Sequence, residues 1–392
     1  MNIERYDVGI VGAGPAGSSA AISLARRGYS VLLVDKCLFP RDKLCGDFLN
    51  PINWPLFEWL GVVEELLSLE HEKITALRIS SSSGEEATFH FPLNEGRRLF
   101  GLGLSRFYLD HLLLRQADKA GATIMEGTRV GDLEKEENGW SITLSNNSGK
   151  RTLHLAFLIG ADGRNSWVAH RLGLTNRRES SGRFLGFQLH LRGVKRLTDQ
   201  VQIHLFPGGY AGLAGLGAGI ANLCFTVEKC RVKKNRPVGD LLESCLYKNP
   251  CLKELLRNSE HFGDVRSAYP IYFPPRKSFG DSFLLAGDAA RVLEPVTGEG
   301  VYLALKSGNL AAETIHRAFV SGNHEAGYLA SYERACDQCF SQRRRINQLI
   351  RTMLTHPFLL RPLIRLSSKT SFPLGPMINS VVQSRPQRIS AV

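Results

Sequence analysis

Three glycines and one acid carry the first chemistry in this chain. In Gly12-Ala13-Gly14-Pro15-Ala16-Gly17 the first glycine permits a tight turn and the second lets a pyrophosphate approach the backbone. The third allows a helix to pack closely on a strand. The apolar run Val8, Ile10, Val11 precedes the turn, and a helix with the small-residue face Ala16, Ala20, Leu24, Ala25 follows it. A helix start offers unpaired N–H groups and the positive end of a dipole, both suited to phosphate. Asp35 lies 18 residues past Gly17, after Val31-Leu32-Leu33-Val34, where a carboxylate can accept from ribose hydroxyls; Lys36 follows it. Strand, turn, helix and acid together predict a dinucleotide-binding unit.

The elements that must position these groups alternate along the chain. Phe107–Ala120 has helical spacing in Leu109, Leu112, Leu113 and Ala117. Residues 123–128, 140–144 and 151–155 read as a β-meander, leading into a buried strand, Phe157-Leu158-Ile159-Gly160. Residues 181–274 alternate as strands, and Gly215-Leu216-Gly217-Ala218-Gly219 reads as strand and turn. Phe283-Leu284-Leu285-Ala286 is a further strand, followed by a glycine turn and a helix over 300–319. A parallel sheet interrupted twice by antiparallel β material implies an α/β fold of two interleaved domains, which suits 392 residues.

Composition narrows the classes. An apolar content of 43% and a charged content of 22% are those of a folded globular chain. No apolar run reaches the ~18 residues of a membrane span. The opening residues read as a strand rather than a leader, so a cytoplasmic protein is expected. The eight cysteines are expected as free thiols. Cys336-Asp337-Gln338-Cys339 lacks a second ligand pair, so no metal site is expected.

The net charge is +12, and from Ser341 onward there are nine Lys or Arg and no acid. Ile346, Leu349, Ile350, Met353, Leu360, Leu363, Ile364 and Leu366 recur between these basic residues, an amphipathic pattern broken at Pro357 and Pro362. This segment is expected to cap the substrate domain. The alternative is peripheral contact with a membrane surface. Nucleic-acid binding is not expected, because no recognised fold or aromatic platform accompanies the charge.

Later motifs carry a family resemblance. Leu158-Ile159-Gly160-Ala161-Asp162-Gly163-Arg164-Asn165-Ser166 looks like the Asp-Gly motif of flavin monooxygenases and their relatives, and Leu284-Leu285-Ala286-Gly287-Asp288-Ala289-Ala290 looks like their Gly-Asp motif. Together with the glycine turn they resemble the para-hydroxybenzoate hydroxylase-like superfamily of FAD-dependent oxidoreductases over residues 5 to about 335. The resemblance implies FAD on a Rossmann-type, glutathione reductase-like domain (1–70, 100–180 and 275–335). It also implies an interleaved mixed and antiparallel β-sheet substrate domain (71–99 and 181–274) and a helical basic C-terminal segment (336–392). Asp288 would meet the ribityl chain. Pro295-Val296-Thr297-Gly298-Glu299-Gly300 would bring helix-start N–H groups to the flavin N1/O2 edge, where reduced flavin carries negative charge. Arg106, in Ser105-Arg106-Phe107-Tyr108-Leu109-Asp110, would lie near the phosphates, and Val130 near adenine. Gly12, Gly14, Ala16, Gly17, Asp35, Lys36, Arg41, Cys45, Gly46, Asp162, Gly163 and Gly287 complete the expected cofactor set.

Phe39-Pro40-Arg41-Asp42-Lys43-Leu44-Cys45-Gly46-Asp47 and Thr297-Gly298-Glu299-Gly300 resemble the geranylgeranyl reductase branch, where the first loop runs beside the flavin ring. A thiol there, Cys45, could give a proton to a substrate carbon or tune the flavin; the alternative is a small residue lining a tight loop. The branch's Tyr-x-Trp-x-Phe-Pro signature is altered to Tyr210-Ala211-Gly212-Leu213-Ala214-Gly215. Two rings are missing from a wall of the site, which implies a bulky or differently shaped substrate such as a polyketide, polyene, terpenoid or lipid. Tyr210, Gly212 and Tyr269 are the candidate substrate residues, and His190, His204 and Tyr272 lie in the same stretch. The Trp-x-Trp-x-Ile-Pro motif of flavin halogenases is absent, since Trp54, Trp59, Trp140 and Trp167 are never two apart. The expected reaction is C=C reduction or dehydrogenation by hydride transfer at flavin N5. The rival is an oxygen-using monooxygenase, and a prenyl-binding escort protein of the same fold is the non-enzymatic alternative. NAD(P)H binding transiently, or a separate donor protein, would supply electrons.

Overall fold

The computed structural model describes residues 4–383 except 95, 148, 176–181, 196, 233–237, 293–294 and 356. The first sheet has eight strands, of which five are mutually parallel in the order Thr123–Met125, Val31–Val34, Arg5–Val11, Gly149–Gly160, Phe283–Leu285. The order reverses between Arg5–Val11 and Gly149–Gly160, so a crevice opens beyond the carboxyl ends of these two strands, at Gly12 and Ala161. Val8, Ile10, Leu32, Leu33, Leu158, Ile159 and Leu284 are wholly buried, as strands covered on both faces require.

The meander differs from expectation. Thr123–Met125 is the edge strand of the parallel sheet, while the meander consists of Arg129–Glu136, Gly139–Asn146 and the first half of Gly149–Gly160. The last is one continuous strand of twelve residues. Its first part pairs antiparallel with Gly139–Asn146, and Leu158–Gly160 pairs parallel with Phe283–Leu285. No turn residue falls between 151–155 and 157–160, so nothing in the chain breaks it there.

The second sheet has seven strands: Glu260–Ala268, Phe184–Arg192, Ile220–Glu228, Gly209–Gly217, Gln200–Phe206, Ala76–Ser80 and Glu86–His90. Alternation sets its two faces. Phe187, Leu189, Leu223, Phe225 and Val227 pack under Leu241, Leu246, Leu252 and Leu256. The opposite face presents Val201, Ile203, Leu205, Tyr210, Gly212 and Thr226 to a cavity. A three-stranded ribbon of Phe48–Leu49, Gly101–Gly103 and Glu72–Ile74 lies between the sheets in sequence.

The helix Pro15–Ala25 is buried from Pro15 to Leu24 because a second helix, Gly300–Ser321, crosses it at backbone contact. A Cβ at Gly308 would stand 2.1 Å from the Ala16 carbonyl oxygen, and one at Gly287 2.9 Å from the Ala16 methyl. Ser19 Oγ donates to the Leu305 carbonyl at 2.8 Å along the same seam.

Three helices end the described chain: Ala326–Thr355, Pro357–Thr370 and Leu374–Val382. Pro357 opens the second of these, and Pro362 lies inside it instead of breaking it. Tyr332, Cys336 and Phe340 belong to the core around the first helix. Leu360, Ile364, Leu374 and Ile378 pack on Ala87, Phe89, Leu205 and Tyr210 of the second sheet. The basic segment therefore caps that sheet. Among the described residues no helix is long and apolar enough to cross a membrane.

Gly308→Val places a side chain where the Ala16 backbone already lies. We expect a loss of roughly 1–3 kcal/mol, read as a lower urea midpoint, as the first helix shifts.

Candidate active site

A cavity of about 780 Å³ begins at the crevice of the parallel sheet and ends between the second sheet and the C-terminal helices. At the crevice, the positive φ of +104° and a Cβ that would lie 2.5 Å from the Ala161 carbonyl oxygen both require glycine at position 12. The helix after the turn has no side-chain cap; Gly14, Pro15 and Ala16 at its start line the cavity. Its first N–H groups are thus directed at whatever fills the crevice. Asp35 accepts from Ala13 N at 2.8 Å and from Cys37 N at 2.9 Å, so it braces the turn as well as lining the wall. Lys36, Val130, Asp162 and Gly163 line the same part. Asp162 spends its carboxylate on Ser166 Oγ (2.5 Å) and Val168 N (3.1 Å), which starts the short helix Trp167–Arg171. Burial raises the pKa of Asp162, and the bond from Ser166 opposes the rise.

Cations crowd the middle of the wall. Arg106 forks onto the wholly buried Asp110 at 2.5 and 2.7 Å, and Arg41 reaches the same carboxylate at 3.0 Å. Lys43 and Arg164 complete the group, and Arg164 lies 3.6 Å from Asp288. Burial holds the Lys43 ammonium below its ordinary pKa, Arg106 and Arg41 add to this, and Asp288 opposes it. A buried Nη1 of Arg164 has no protein partner. An ammonium depressed by neighbouring cations and a guanidinium nitrogen left over are both satisfied by an anion.

The loop Arg41–Asp47 is tied to the second sheet by a buried polar cluster. Gln188 Nε2 donates to Asp47 Oδ2 (3.1 Å) and to Asn222 Oδ1 (3.0 Å), while its Oε1 accepts from Cys45 N (3.3 Å). Asn222 Nδ2 donates to the Cys45 carbonyl (2.9 Å). His190 Nε2 stands 3.6 Å from Asp47 Oδ2. Burial raises the Asp47 pKa and the His190 contact opposes this. Cys45 and Gly46 are thereby held on the cavity wall. Burial raises the Cys45 thiol pKa, Asp47 adds to the rise, and Arg106 opposes it.

At the far end, Gly298 and Gly300 line the cavity with Pro295, and the helix starting at Gly300 also lacks a side-chain cap. Two helix N-termini therefore open on one cavity. Beyond them the wall is uncharged and mainly aliphatic: Leu77, Ile79, Val201, Ile203 and Leu205 from the sheet, and Ile350, Met353, Leu360, Leu374, Met377 and Ile378 from the C-terminal helices, with Phe91, Tyr210 and Thr226 among them.

Four of the expected site residues stand elsewhere. Gly17 and Gly287 serve helix packing: a Cβ at Gly17 would lie 1.8 Å from the Gly12 carbonyl oxygen. The Glu299 carboxylate turns away from the cavity to Arg343 and to Asn347 Nδ2 (3.1 Å), and only its backbone serves the helix start. Tyr269 lies outside the cavity, its hydroxyl donating to the Gly182 carbonyl at 3.2 Å and its ring under Lys229. His204 bonds to Ser80 on the opposite face of the second sheet, and Arg351 stacks on Tyr272. Lys43, Arg164, Gln188 and Asn222 were missed from sequence. A signal existed for the last two: polar residues alternate there with Leu189 and Leu223, as on a sheet face turned from the helices.

The FAD binding domain family matches residues 5–207. The chain belongs to that family. Uncapped helix starts, the ribose-side acid and the unpaired Arg164 nitrogen all fit FAD, with its pyrophosphate near Gly14 and Arg41. The protein is an FAD-dependent oxidoreductase of the para-hydroxybenzoate hydroxylase-like superfamily. It is 26% identical to a digeranylgeranylglycerophospholipid reductase of Methanococcus vannielii over 84% of this chain and 82% of that one. It is 27% identical to a 1H-pyrrole-2-carbonyl-[peptidyl-carrier protein] chlorinase of Pseudomonas fluorescens over 85% and 80%. Its fold matches a geranylgeranyl bacteriochlorophyll reductase-like structure from Thermoplasma acidophilum with a TM-score of 0.79 at 21% identity, covering 97% of this chain and 96% of that one.

Gln188→Leu removes three hydrogen bonds of the loop anchor. We expect amide hydrogen exchange across residues 41–47 to speed up by one to two orders of magnitude, at roughly 1–3 kcal/mol per orphaned polar group, while exchange in the parallel sheet stays as it was.

Proposed function

We propose that this enzyme reduces carbon–carbon double bonds of a long apolar substrate, or runs the reverse dehydrogenation. One observation carries the reading. Every described charged residue on the cavity wall lies within 35–43 or at 106, 129, 162, 164 and 288, and the chamber beyond is uncharged and mainly apolar, with Tyr210 and Thr226 among its few polar groups. A chamber of that kind rewards apolar area, at about 25 cal/mol per Å² buried, and penalises an unpaired charge. FAD supplies hydride transfer at N5 when bound. The chain supplies the rest: an apolar wall that excludes water, a helix start at Gly300 that favours negative charge at the ring edge, and a proton from Cys45.

Saturating a double bond needs a hydride at one carbon and a proton at the other. A neutral thiol is the form that gives a proton, and the burial that raises the Cys45 pKa keeps it neutral. The resemblance to the digeranylgeranylglycerophospholipid reductase supports this reading, and the resemblance to the chlorinase sets its rival. Anaerobic incubation of the reduced holoenzyme with a polyisoprenoid lipid should give products heavier by two hydrogens per double bond. Products that form only with oxygen and gain an oxygen or a halogen atom would reject the proposal.

Activity that depends on the Cys45 proton is present below the raised thiol pKa and lost as pH rises through it. In wild type we expect kcat to fall on the alkaline side, above the ordinary thiol range. Cys45→Ser should keep its flavin, lower kcat roughly 100-fold and lose that alkaline limb, read from a pH–rate profile.

Gly212 sets the width of the chamber. A Cβ there meets only the Cys224 carbonyl oxygen, at 3.6 Å, and no positive φ demands glycine. A larger side chain can therefore be seated without backbone strain. Gly212→Trp should lower kcat/KM for long substrates by roughly 10-fold or more while sparing short ones, measured across a chain-length series.

A further inference from the structure

We propose that the outer face of the C-terminal helices docks on an anionic phospholipid surface. The inference rests on the apolar-substrate reading, because docking would bring the chamber to where such a substrate resides. The helices Ala326–Thr355 and Pro357–Thr370 are two-sided. Their inner side supplies Ile350, Met353 and Leu360 to the cavity wall. On the outer side of the second, Arg361, Arg365 and Lys369 recur every four residues, which places them in one exposed stripe. Arg361 also pairs with Glu85 at 2.7 Å, leaving Arg365 and Lys369 as the stripe's exposed charges outside that pair.

Large apolar side chains accompany the charge instead of being withdrawn from it. Leu366 is 49% exposed, Phe372 63% and Leu349 49%. No acidic residue occurs from Ser341 to the C-terminus, so the acids near this surface, Asp337 and Glu85, lie outside that stretch and are each paired with an arginine. Basic residues beside exposed leucine and phenylalanine match a phospholipid leaflet, which offers phosphate at its surface and hydrocarbon just beneath. A nucleic acid would use the arginines and leave the apolar groups in water.

The test is sedimentation of the flavin-loaded enzyme with sucrose-filled vesicles of phosphatidylglycerol and phosphatidylcholine, against vesicles of phosphatidylcholine alone. We expect binding to the anionic vesicles, weakening as salt is raised. Arg365→Gln with Lys369→Gln should reduce the partition coefficient roughly 25-fold, at about 5-fold per basic residue. Leu366→Ser with Phe372→Ser should also reduce it, with flavin content unchanged in both double variants. Failure of the wild-type enzyme to sediment with anionic vesicles, or equal binding by the Arg365/Lys369 variant, would overturn the proposal. So would tighter binding to duplex DNA than to the vesicles at the same salt. Vesicle binding is read without turnover, so an enzyme that docks but does not reduce double bonds refutes only the proposed reaction. One that reduces them without docking refutes only this inference.

Discussion

Two helices must cross at backbone contact for this site to exist. The helix after the glycine turn and the helix starting at Gly300 meet where Gly308 lies against the Ala16 carbonyl, a separation that no residue with a Cβ permits. The crossing fixes where each helix begins, and both begin uncapped on the same cavity. One end suits a pyrophosphate and the other the electron-rich edge of a reduced flavin. The parallel sheet sets the crevice, and the crossing decides that two positive helix ends open on a single cavity. Gly287 packs on Ala16 and Ala304 at the same crossing, and Gly17 lets the first helix close onto the Gly12 turn, so both shape the site without lining it.

The second constraint is polar. The loop carrying Cys45 lies across the gap between the two sheets, where its backbone groups would be costly to bury unpaired. Gln188 and Asn222 meet that need from neighbouring strands, each bonded both to the Cys45 backbone and to the other. The Cys45 loop is thus positioned by the sheet that also lines the apolar part of the cavity. Asp47, with His190 beside it and the Arg106 and Leu104 amides donating to it, closes the cluster.

The parts legible in the sequence are those whose signals are local. The glycine turn, Asp35, the Arg106 helix and the Gly300 helix stand where spacing and patterning put them, because turn chemistry and periodicity act over a few residues. Thr123–Met125 was misassigned because a three-residue strand looks the same whether its partner is parallel or antiparallel. Glu299 was expected at the site for the backbone of the helix start. Its side chain is decided by Arg343 and Asn347, more than forty residues away. Lys43 and Arg164 gain meaning only from being brought beside Arg41, Arg106 and Asp288 by the fold. Tyr269 had the right residue type in the right stretch, yet it lies under Lys229 outside the chamber.

One helix performs two duties. Ala326–Thr355 neutralises Glu299 through Arg343 and, two turns on, offers Ile350 and Met353 to the chamber. A substitution that rotates or slides this helix to accommodate a new substrate also moves the guanidinium that compensates the carboxylate at the start of the Gly300 helix. The shape of the apolar chamber and the charge balance at the start of the Gly300 helix are therefore coupled through one helix.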